Sequence, residues 1–297
     1  MQTDHQSQIT DHRKIALIGA NGMLARMIRE RAPTNCNFHL FDLPDFDLND
    51  RYQVVDVLSS LAPDVIINCA AFTNVDGAET ERDLAMSVNG TAVGFLVEAA
   101  LAVEATLVHI STDYVFDGQA TTPYVESDAP NPQSVYGKTK LAGEQAILNS
   151  DLEKYFIVRT SWLYGPGGNN FVETILRLAA EREELRIISD QVGSPTYTAD
   201  LADAIFRLLA ASASPQPPAS SPSGLYHFAN EGSCSWYEFA CAIVEEAQKR
   251  NLPLKVQKIY PIATEDYPLP AKRPANSVFE KQKYKAATGA DIPGWRD

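Results

Sequence analysis

The stretch KIALIGANGMLARMIRE, Lys14–Glu30, decides the fold. An apolar run up to Gly19 predicts a short buried strand, and Met23–Arg31 has the apolar spacing of a helix. Glycines at the intervening turn, Gly19 and Gly22, allow a tight strand-to-helix connection and let a pyrophosphate approach the backbone beside the helix N-terminus. Ala25 is small enough for the helix to pack closely on a sheet. The stretch therefore predicts a dinucleotide-binding βα turn.

Apolar strands and amphipathic helices alternate along much of the chain. The predicted strands are Lys14–Gly19, Phe38–Phe41, Asp64–Cys69, Thr106–Ile110, Tyr155–Arg159 and Leu225–Phe228. The predicted helices are Met23–Arg31, Tyr52–Leu61, about Glu79–Val103, Val135–Leu148, Asn170–Glu181, Ala199–Ala210 and Trp236–Lys249. This order is typical of an α/β fold with a doubly wound parallel sheet of Rossmann type, covered by helices on both faces.

A smaller, discontinuous C-terminal lobe is expected to complete the molecule. We assign residues 1–165 and 198–224 to an NAD(P)-binding domain, and residues 166–197 and 225–297 to a lobe for the substrate. The segment ASASPQPPASSPSG, Ala211–Gly224, has neither charge nor periodicity and is interpreted as an exposed connector. The chain after Lys249 reads as a Pro-rich tail.

Composition narrows the function classes. The net charge is -13, so the surface repels phosphate backbones and anionic headgroups, and neither nucleic acid nor a membrane is expected as a partner. An anionic substrate would need a local basic pocket. The four cysteines form no CxxC pair and are expected to be reduced thiols. The polar start contains no signal-peptide core, and no apolar run approaches the roughly 20 residues of a membrane span, so a cytoplasmic protein is expected.

An acidic residue closes the second predicted strand. Asp42 lies about twenty residues beyond the glycine turn, where a carboxylate accepts hydrogen bonds from both hydroxyls of the adenosine ribose and repels a 2′-phosphate. This position favours NADH over NADPH. The alternative is a surface aspartate in a turn. Asp47 and Leu48 are candidates to flank the adenine ring.

Tyr136 and Lys140 are spaced i, i+4 at the start of a predicted helix and share one face of it. An ammonium near a phenol favours the phenolate, which would lower a pKa of about 10 and let Tyr136 exchange a proton. The same ammonium can bind the nicotinamide ribose. A preceding strand ends in Ser111-Thr112-Asp113, and the Thr112 hydroxyl can bond the reacting oxygen. Alternatively, Thr112 only caps the backbone at the strand end.

Several longer strings carry a resemblance to known proteins. They are NCAAFTNVD (Asn68–Asp76), STDYVFDG (Ser111–Gly118), NPQSVYGKTK (Asn131–Lys140), RTSWLYG (Arg159–Gly165), DQVGSPTYTADLA (Asp190–Ala202) and RPANSVF (Arg273–Phe279). Together they resemble the extended short-chain dehydrogenase/reductase superfamily and, within it, the dTDP-4-dehydrorhamnose reductase family. The resemblance spans roughly residues 14 to 280. It implies a reductase in dTDP-L-rhamnose synthesis and hence in polysaccharide biosynthesis.

The resemblance also implies roles for individual residues. The catalytic residues would be Thr112, Tyr136 and Lys140. The NADH or NADPH contacts would be Gly19, Asn21, Gly22, Met23, Leu24, Asp42, Asp47, Leu48, Ala70, Ala71, Thr73, Asn89, Ser111, Tyr136 and Lys140. The dTDP-sugar contacts would be Thr112, Asp113, Trp162, Asn170, Phe171, Gln191, Ser194, Thr196 and Arg273. Arg273, beside Lys272, would supply the basic pocket for the diphosphate.

Alternatives remain at three of these positions and for the whole chain. Trp162 is alternatively a core aromatic, Ser194–Thr196 only a turn, and Arg273 a solvated charge. Some members of the family dimerise through Mg²⁺ held by acidic side chains. The sequence does not identify which carboxylates these would be here, so Mg²⁺ and the choice between monomer and homodimer stay open. The rival functions are a related nucleotide-sugar 4-reductase or epimerase, and a cofactor-binding regulatory subunit like that of methionine adenosyltransferase.

Overall fold

The structure is a computed structural model and describes residues 13–213 and 222–297; the predictions for the first twelve residues and for the centre of the connector lie outside the described residues. The strands are β1 Arg13–Ile18, β2 Cys36–Phe41, β3 Val65–Asn68, β4 Thr106–Thr112, β5 Tyr155–Thr160, β6 Leu163–Tyr164, β7 Glu184–Ile188, β8 Val192–Gly193, β9 Thr196–Tyr197, β10 Gly224–His227, β11 Cys234–Ser235 and β12 Lys258–Ile262. The α-helices are α1 Met23–Arg31, α2 Arg51–Leu61, α3 Arg82–Met86, α4 Ala92–Val103, α5 Val135–Leu148, α6 Phe171–Glu181, α7 Thr198–Ser212, α8 Trp236–Lys249 and α9 Gln282–Thr288.

The main sheet has six parallel strands in the order β10-β5-β4-β3-β1-β2. Side chains of β1 alternate between its faces: Ile15 and Leu17 pack in a core with α1 and α7, whereas Ala16 and Ile18 pack in a second core with α2, α4 and α5. Both faces are thus buried, which explains why the strands read as continuous apolar runs. The predicted doubly wound α/β fold is confirmed.

The helical region predicted over about Glu79–Val103 is confirmed from Arg82 onward, but it is not a regular α-helix throughout. The chain there forms a 3₁₀ turn at Gly77–Glu79, the short α3, a π-helical turn at Ser87–Thr91 and only then α4. The buried Asn89 explains the irregular turn, because its side chain accepts a hydrogen bond from the Phe72 backbone and donates to it in return. A side chain bonded to a neighbouring loop draws the helix out of regular geometry.

The helical residues Arg82–Val103, with a mean hydropathy of 1.5, are long and apolar enough to span a membrane, contrary to the expectation that no apolar run approaches that length. Leu96, Ala99 and Ala100 on α4 are fully buried in the core beside α2 and α5. Burial of this face inside the α/β domain accounts for the apolar composition, because a helix in a protein core packs against other apolar side chains.

The second lobe is built on α6 and α8, which pack together over β7 and β12. β12 pairs with β7 in parallel, and Leu185, Phe239 and Ile243 belong to their common core. The interpretation of the chain after Lys249 as a Pro-rich tail is therefore wrong, since both β12 and α9 lie within it.

The predicted boundary at residue 224 differs from the observed topology. β10 follows the connector and pairs with β5 at the edge of the main sheet, with Leu225 opposite Ile157. Helix α9 returns to pack on α7, and Tyr284 is buried in the core around α1 and α7. Segments assigned to the substrate lobe thus complete the first domain, and the division into two functional lobes stays a prediction.

Candidate active site

The glycine turn between β1 and α1 has the backbone that the sequence predicts. Gly19 has a φ of +74°, and a Cβ there would lie 2.6 Å from the Ala70 nitrogen, so no other residue fits without displacement. Gly22 immediately precedes α1 with no side-chain cap. The first N–H groups of the helix are therefore available to a phosphate.

An open cleft of about 890 Å³ runs along the carboxyl ends of the central strands, beside this turn. This is where parallel α/β sheets bind their ligands. The predicted cofactor residues that line it are Gly19, Asn21, Gly22, Met23, Leu24, Asp42, Asp47, Leu48, Ala70, Ala71, Thr73, Ser111, Tyr136 and Lys140.

Asp42 closes β2 at the rim of the cleft. Its Oδ2 accepts a hydrogen bond from the Asn21 backbone at 2.7 Å, and its Oδ1 accepts one from the Leu43 backbone at 2.9 Å. These bonds fix the carboxylate beside the glycine turn and leave each oxygen a further lone pair. Asp42 thus holds the glycine turn in place through a hydrogen bond. The alternative interpretation, a surface aspartate in a turn, does not include this role.

Two predicted cofactor residues have structural roles. Ser111 lines the cleft, but its hydroxyl donates to the buried Glu144, which forms a two-point ion pair with Arg159 at 2.6 and 2.9 Å. Asn89 lies beneath the cleft wall rather than in it, where its amide bonds Phe72 and Thr139.

Tyr136 lies at the start of α5 within the cleft and is hydrogen-bonded to Thr112. Burial raises the pKa of Tyr136 to about 12; the bond with Thr112 opposes this rise, and Asp113 adds to it. The predicted lowering by Lys140 is wrong for this arrangement. The buried phenol therefore keeps its proton near neutral pH.

The amine of Lys140 is buried at the floor of the cleft. Its Nζ donates to the Ile110 carbonyl at 2.6 Å and lies 3.3 Å from His109 Nε2. Burial lowers the pKa of Lys140 to about 8, against the opposing effect of Glu144. A lysine with such a pKa changes its charge near neutral pH.

A second cavity of about 160 Å³ adjoins the cleft. The predicted substrate residues Asp113, Trp162, Gln191 and Arg273 line it, and Asp113 and Trp162 also line the larger cleft. The two cavities therefore meet beside these two side chains, next to Thr112 and Tyr136.

Asp113 is 3% exposed. Its Oδ1 accepts the Thr112 hydroxyl at 2.9 Å, while its Oδ2 has no hydrogen-bond partner within the described residues. Burial raises its pKa to about 6. A buried carboxylate oxygen without a partner, between two cavities, is suited to accept a ligand hydroxyl.

Trp162 belongs to a pair of stacked aromatic rings that lines the smaller cavity. Its backbone adopts a φ of +48°, which is unusual for a bulky residue, and its ring stacks on Trp236 at 3.5 Å with an interplanar angle of 7°. Gly193 packs against the ring face, where a Cβ would lie 2.5 Å from it. Trp162 thus contributes to both the lobe core and the cavities.

The guanidinium of Arg273 is held by a carboxylate, contrary to the solvated charge of the alternative interpretation. Its two terminal nitrogens donate to the two oxygens of Asp76 at 2.6 and 2.7 Å. Asp76 comes from the loop after β3 and Arg273 from the C-terminal part of the chain, so the pair joins distant segments beside the smaller cavity. A diphosphate at this point would share the guanidinium with Asp76.

The remaining predicted substrate residues, Asn170, Phe171, Ser194 and Thr196, do not line either cavity. Asn170 caps α6 and donates to the Gly165 carbonyl at 2.8 Å, and Phe171 packs on the Trp236 ring. Ser194 and Thr196 are fully buried, and Ser194 donates to the Gly232 carbonyl. These four support the lobe that carries Trp162.

Sequence reasoning missed other residues of the two cavities. Tyr114 lies in the string STDYVFDG and packs edge-on against Tyr136 at 5.4 Å, and Trp236 opens α8. The sequence feature that could have identified Trp236 is its place as an aromatic residue at the first position of a helix, directly after a serine cap. Asn68 and His109 lie below Lys140 and line neither cavity. Their sequence positions indicate only that they belong to buried strands.

Residues 13–213 and 222–297 contain no group of three or more His, Cys, Asp or Glu side chains that could hold a metal ion. The possibility of Mg²⁺ therefore gains no support from the described part of the chain.

The chain is similar to known proteins in both sequence and structure. A sequence profile for the family described as RmlD substrate binding domain matches residues 13–297. Two dTDP-4-dehydrorhamnose reductases, from Aggregatibacter actinomycetemcomitans and Escherichia coli K12, are 39% and 40% identical over 95% of this chain and 96% and 94% of their own. The crystal structure of such a reductase from Bacillus anthracis, in complex with NADP, is 41% identical, covers 96% of both chains and superposes with a TM-score of 0.88.

Proposed function

Because the chain belongs to the RmlD substrate binding domain family, we propose that it is an NAD(P)H-dependent oxidoreductase acting on a dTDP-sugar. The reaction is reduction of the C4 keto group of dTDP-4-dehydro-6-deoxy-L-mannose to dTDP-L-rhamnose. One observation carries this proposal: Thr112, Tyr136 and Lys140 lie together in the cleft at its junction with the Trp162 cavity.

The larger cleft fits a nicotinamide dinucleotide. Gly19 leaves room for a pyrophosphate at the N-terminus of α1, and Asp42 stands where a ribose would lie. When bound, NADH or NADPH supplies the hydride. A carboxylate at Asp42 favours the free ribose hydroxyls of NADH, whereas the Bacillus anthracis relative is solved with NADP. The assay below therefore compares both cofactors.

Tyr136 is the proton donor in this proposal. With its pKa raised to about 12, the phenol holds its proton at neutral pH and can transfer it to the alkoxide that forms at C4. Thr112, hydrogen-bonded to Tyr136, holds the same oxygen in place. Lys140 lies one turn further along α5 and stabilises the phenolate left by this transfer.

The smaller cavity would take the sugar and the diphosphate. Asp113 Oδ2 accepts a sugar hydroxyl, and the Trp162 ring, which lines both cavities, lies beside the hexose. Arg273 binds the diphosphate while it remains beside Asp76, and Gln191 lies on the same wall. Asn170, Phe171, Ser194 and Thr196 act through the lobe that positions these groups.

The enzyme is proposed to act in the cytoplasm, as a monomer or homodimer, in the synthesis of rhamnose for polysaccharide. The rival reductases of GDP- or UDP-sugars would use the same Thr112–Tyr136–Lys140 group. A regulatory subunit like that of methionine adenosyltransferase would need no sugar cavity. The cavity beside the stacked rings of Trp162 and Trp236 therefore favours an enzyme.

The test is oxidation of NADH and of NADPH by the purified protein with the dTDP-, GDP- and UDP-linked 4-keto sugars. We expect turnover confined to the dTDP sugar, with dTDP-L-rhamnose as the product. Tyr136→Phe should lower turnover by about 10²–10⁴-fold while cofactor binding is retained. Tyr155→Phe, at the opposite end of β5 from the site, is the matched control and should retain turnover. Near-normal turnover in Tyr136→Phe would refute the assignment of the acid.

A further inference from the structure

The two paired strands of the second lobe are joined by further hydrogen bonds just beyond their ends, beside Gln191. β12 pairs with β7, and their last pair places Ile262 opposite Ile188. Past this pair, the Asp190 carboxylate accepts hydrogen bonds from the Thr264 backbone at 2.9 and 3.0 Å. The strand pairing therefore brings Thr264 next to Gln191, which directly follows Asp190 in the chain.

Asp190 determines the direction of the hydrogen bonds at Thr264. Burial raises the pKa of Asp190, but hydrogen bonds from the backbone and the hydroxyl of Thr264 outweigh this effect and lower it below its usual 3.8, so the side chain is a carboxylate near neutral pH. A carboxylate only accepts, so the Thr264 hydroxyl donates its one proton to Asp190 Oδ1 at 2.7 Å. The hydroxyl oxygen can then only accept from Gln191, whose Nε2 lies 3.0 Å away.

This bond determines which way round the Gln191 carboxamide lies. Its NH₂ group faces Thr264, so Oε1 points to the other side, and no described residue donates a hydrogen bond to it. Gln191 is 4% exposed and lines the smaller cavity, whereas Thr264 does not line it. We propose that Asp190 and Thr264 are positioning residues that hold Oε1 of Gln191 toward the smaller cavity, where it accepts a hydrogen bond from a donor group of the ligand.

The consequence for ligand selection rests on the proposed function, which takes the ligand to be a dTDP-sugar. Arg273 offers the smaller cavity only donors, which suit the oxygens of a diphosphate. Gln191 in this orientation offers only an acceptor, so it disfavours a phosphate or keto oxygen and favours a hydroxyl of the hexose or the N3–H of the thymine. A ligand without a donor at this place would leave the Gln191 oxygen unpaired and would bind less tightly.

The orientation of the carboxamide can be tested without any ligand. Thr264→Val keeps the shape of the side chain and the backbone bonds to Asp190 but removes the hydroxyl, whereas Thr264→Ser keeps the hydroxyl. The NH₂ signal of Gln191 in ¹H–¹⁵N NMR spectra of the whole protein is assigned by its loss in Gln191→Met. Its hydrogen-bonded proton should move upfield in Thr264→Val and stay in place in Thr264→Ser. An NH₂ signal that does not move in Thr264→Val would overturn the proposal.

A matched control comes from the same lobe. The Thr174 hydroxyl donates to the Asn170 carbonyl on α6 and does not contact Gln191. Thr174→Val therefore removes a threonine hydroxyl of this lobe without changing the bond to the carboxamide, and the Gln191 signal should stay in place. Because Asp190 and Thr264 are themselves exposed, the substitutions at Thr264 leave the apolar core of the lobe intact.

Ligand affinity tests the selection of a donor. Isothermal titration calorimetry compares dTDP-L-rhamnose with dTDP, which lacks the hexose. Thr264→Val should weaken binding by about 2–10-fold, the effect of one hydrogen bond, while Thr264→Ser and Thr174→Val bind as the parent protein does. A loss confined to dTDP-L-rhamnose would identify a hexose hydroxyl as the donor, and an equal loss for dTDP would identify the thymine N3–H.

Unchanged affinity of Thr264→Val for both ligands would refute the proposal. Failure of the proposed function has a different signature: the parent protein would then bind neither dTDP nor dTDP-L-rhamnose, while the NMR signal of Gln191 would still report the orientation of the carboxamide.

Discussion

Asp113→Asn is expected to stabilise the protein near neutral pH, although it alters a residue of the proposed site. Burial raises the pKa of Asp113 from its usual 3.8 to about 6, a difference that corresponds to about 3 kcal/mol of destabilisation once the carboxylate is charged. Asparagine keeps the shape and can still accept the Thr112 hydroxyl. The NH₂ group of the asparagine takes the position of Oδ2, where it has no hydrogen-bond partner. Leaving this group without a partner costs about 1–2 kcal/mol. The expected net gain is about 1–2 kcal/mol in the free energy of unfolding.

The sign of the pH dependence distinguishes this cause from others. Because the folded pKa of Asp113 lies above the unfolded value, its penalty is complete above about pH 6 and disappears as the pH falls toward 3.8. Urea unfolding at about pH 8 and pH 4 should therefore show that the advantage of Asp113→Asn falls by about 2 kcal/mol and is lost or reversed at the lower pH.

The same substitution at a nearby loop position provides the control. Asp117 accepts hydrogen bonds from the Gln119 backbone, Tyr124 and Asn131, which hold its pKa below the usual value. Asp117→Asn should destabilise the protein above the usual pKa of aspartate, and this loss should fade at low pH. If Asp113→Asn were instead less stable than the parent protein at pH 8, or its advantage did not change with pH, the argument from burial would fail.

Two further substitutions test the ion pairs. Arg273→Lys replaces a two-pronged contact with a single charge, so the KM for the dTDP-sugar should rise by about tenfold with a smaller change in kcat, measured by steady-state kinetics; an unchanged KM would remove Arg273 from the diphosphate site. Glu144→Gln leaves the Arg159 charge buried without a counter-charge, so the free energy of unfolding should fall by about 3–5 kcal/mol in urea titrations; a loss below about 1 kcal/mol would show that Arg159 finds another partner.

Local sequence was sufficient to predict most of the candidate cofactor residues that line the larger cleft. Gly19 and Asp42 are constrained by sterics and charge within one βα unit, and the structure places both at the cleft. The strands of the main sheet were found because burial on both faces makes each a continuous apolar run. Ala25, predicted to pack the first helix closely on the sheet, is fully buried.

The substrate side depends on contacts that no local pattern contains. Arg273 and Asp76 are 197 residues apart, and their pairing follows from how the two lobes meet. Trp162 has a left-handed backbone and stacks its ring on Trp236, and nothing in RTSWLYG predicts either feature. The pKa of Tyr136 was misjudged for the same reason, since the sequence shows the spacing to Lys140 but not the depth of burial.

The return of the chain to the main sheet at β10 has a consequence for synthesis on the ribosome. The strand that completes the edge of the cofactor domain, Gly224–His227, is translated only after α6 and β7 of the other lobe, and the α9 helix that covers α7 comes last. A nascent chain that ends before β10 exposes the open edge of β5, and it cannot close its first core until Tyr284 has emerged. The cofactor domain is therefore expected to finish folding only after nearly the whole chain has been synthesised.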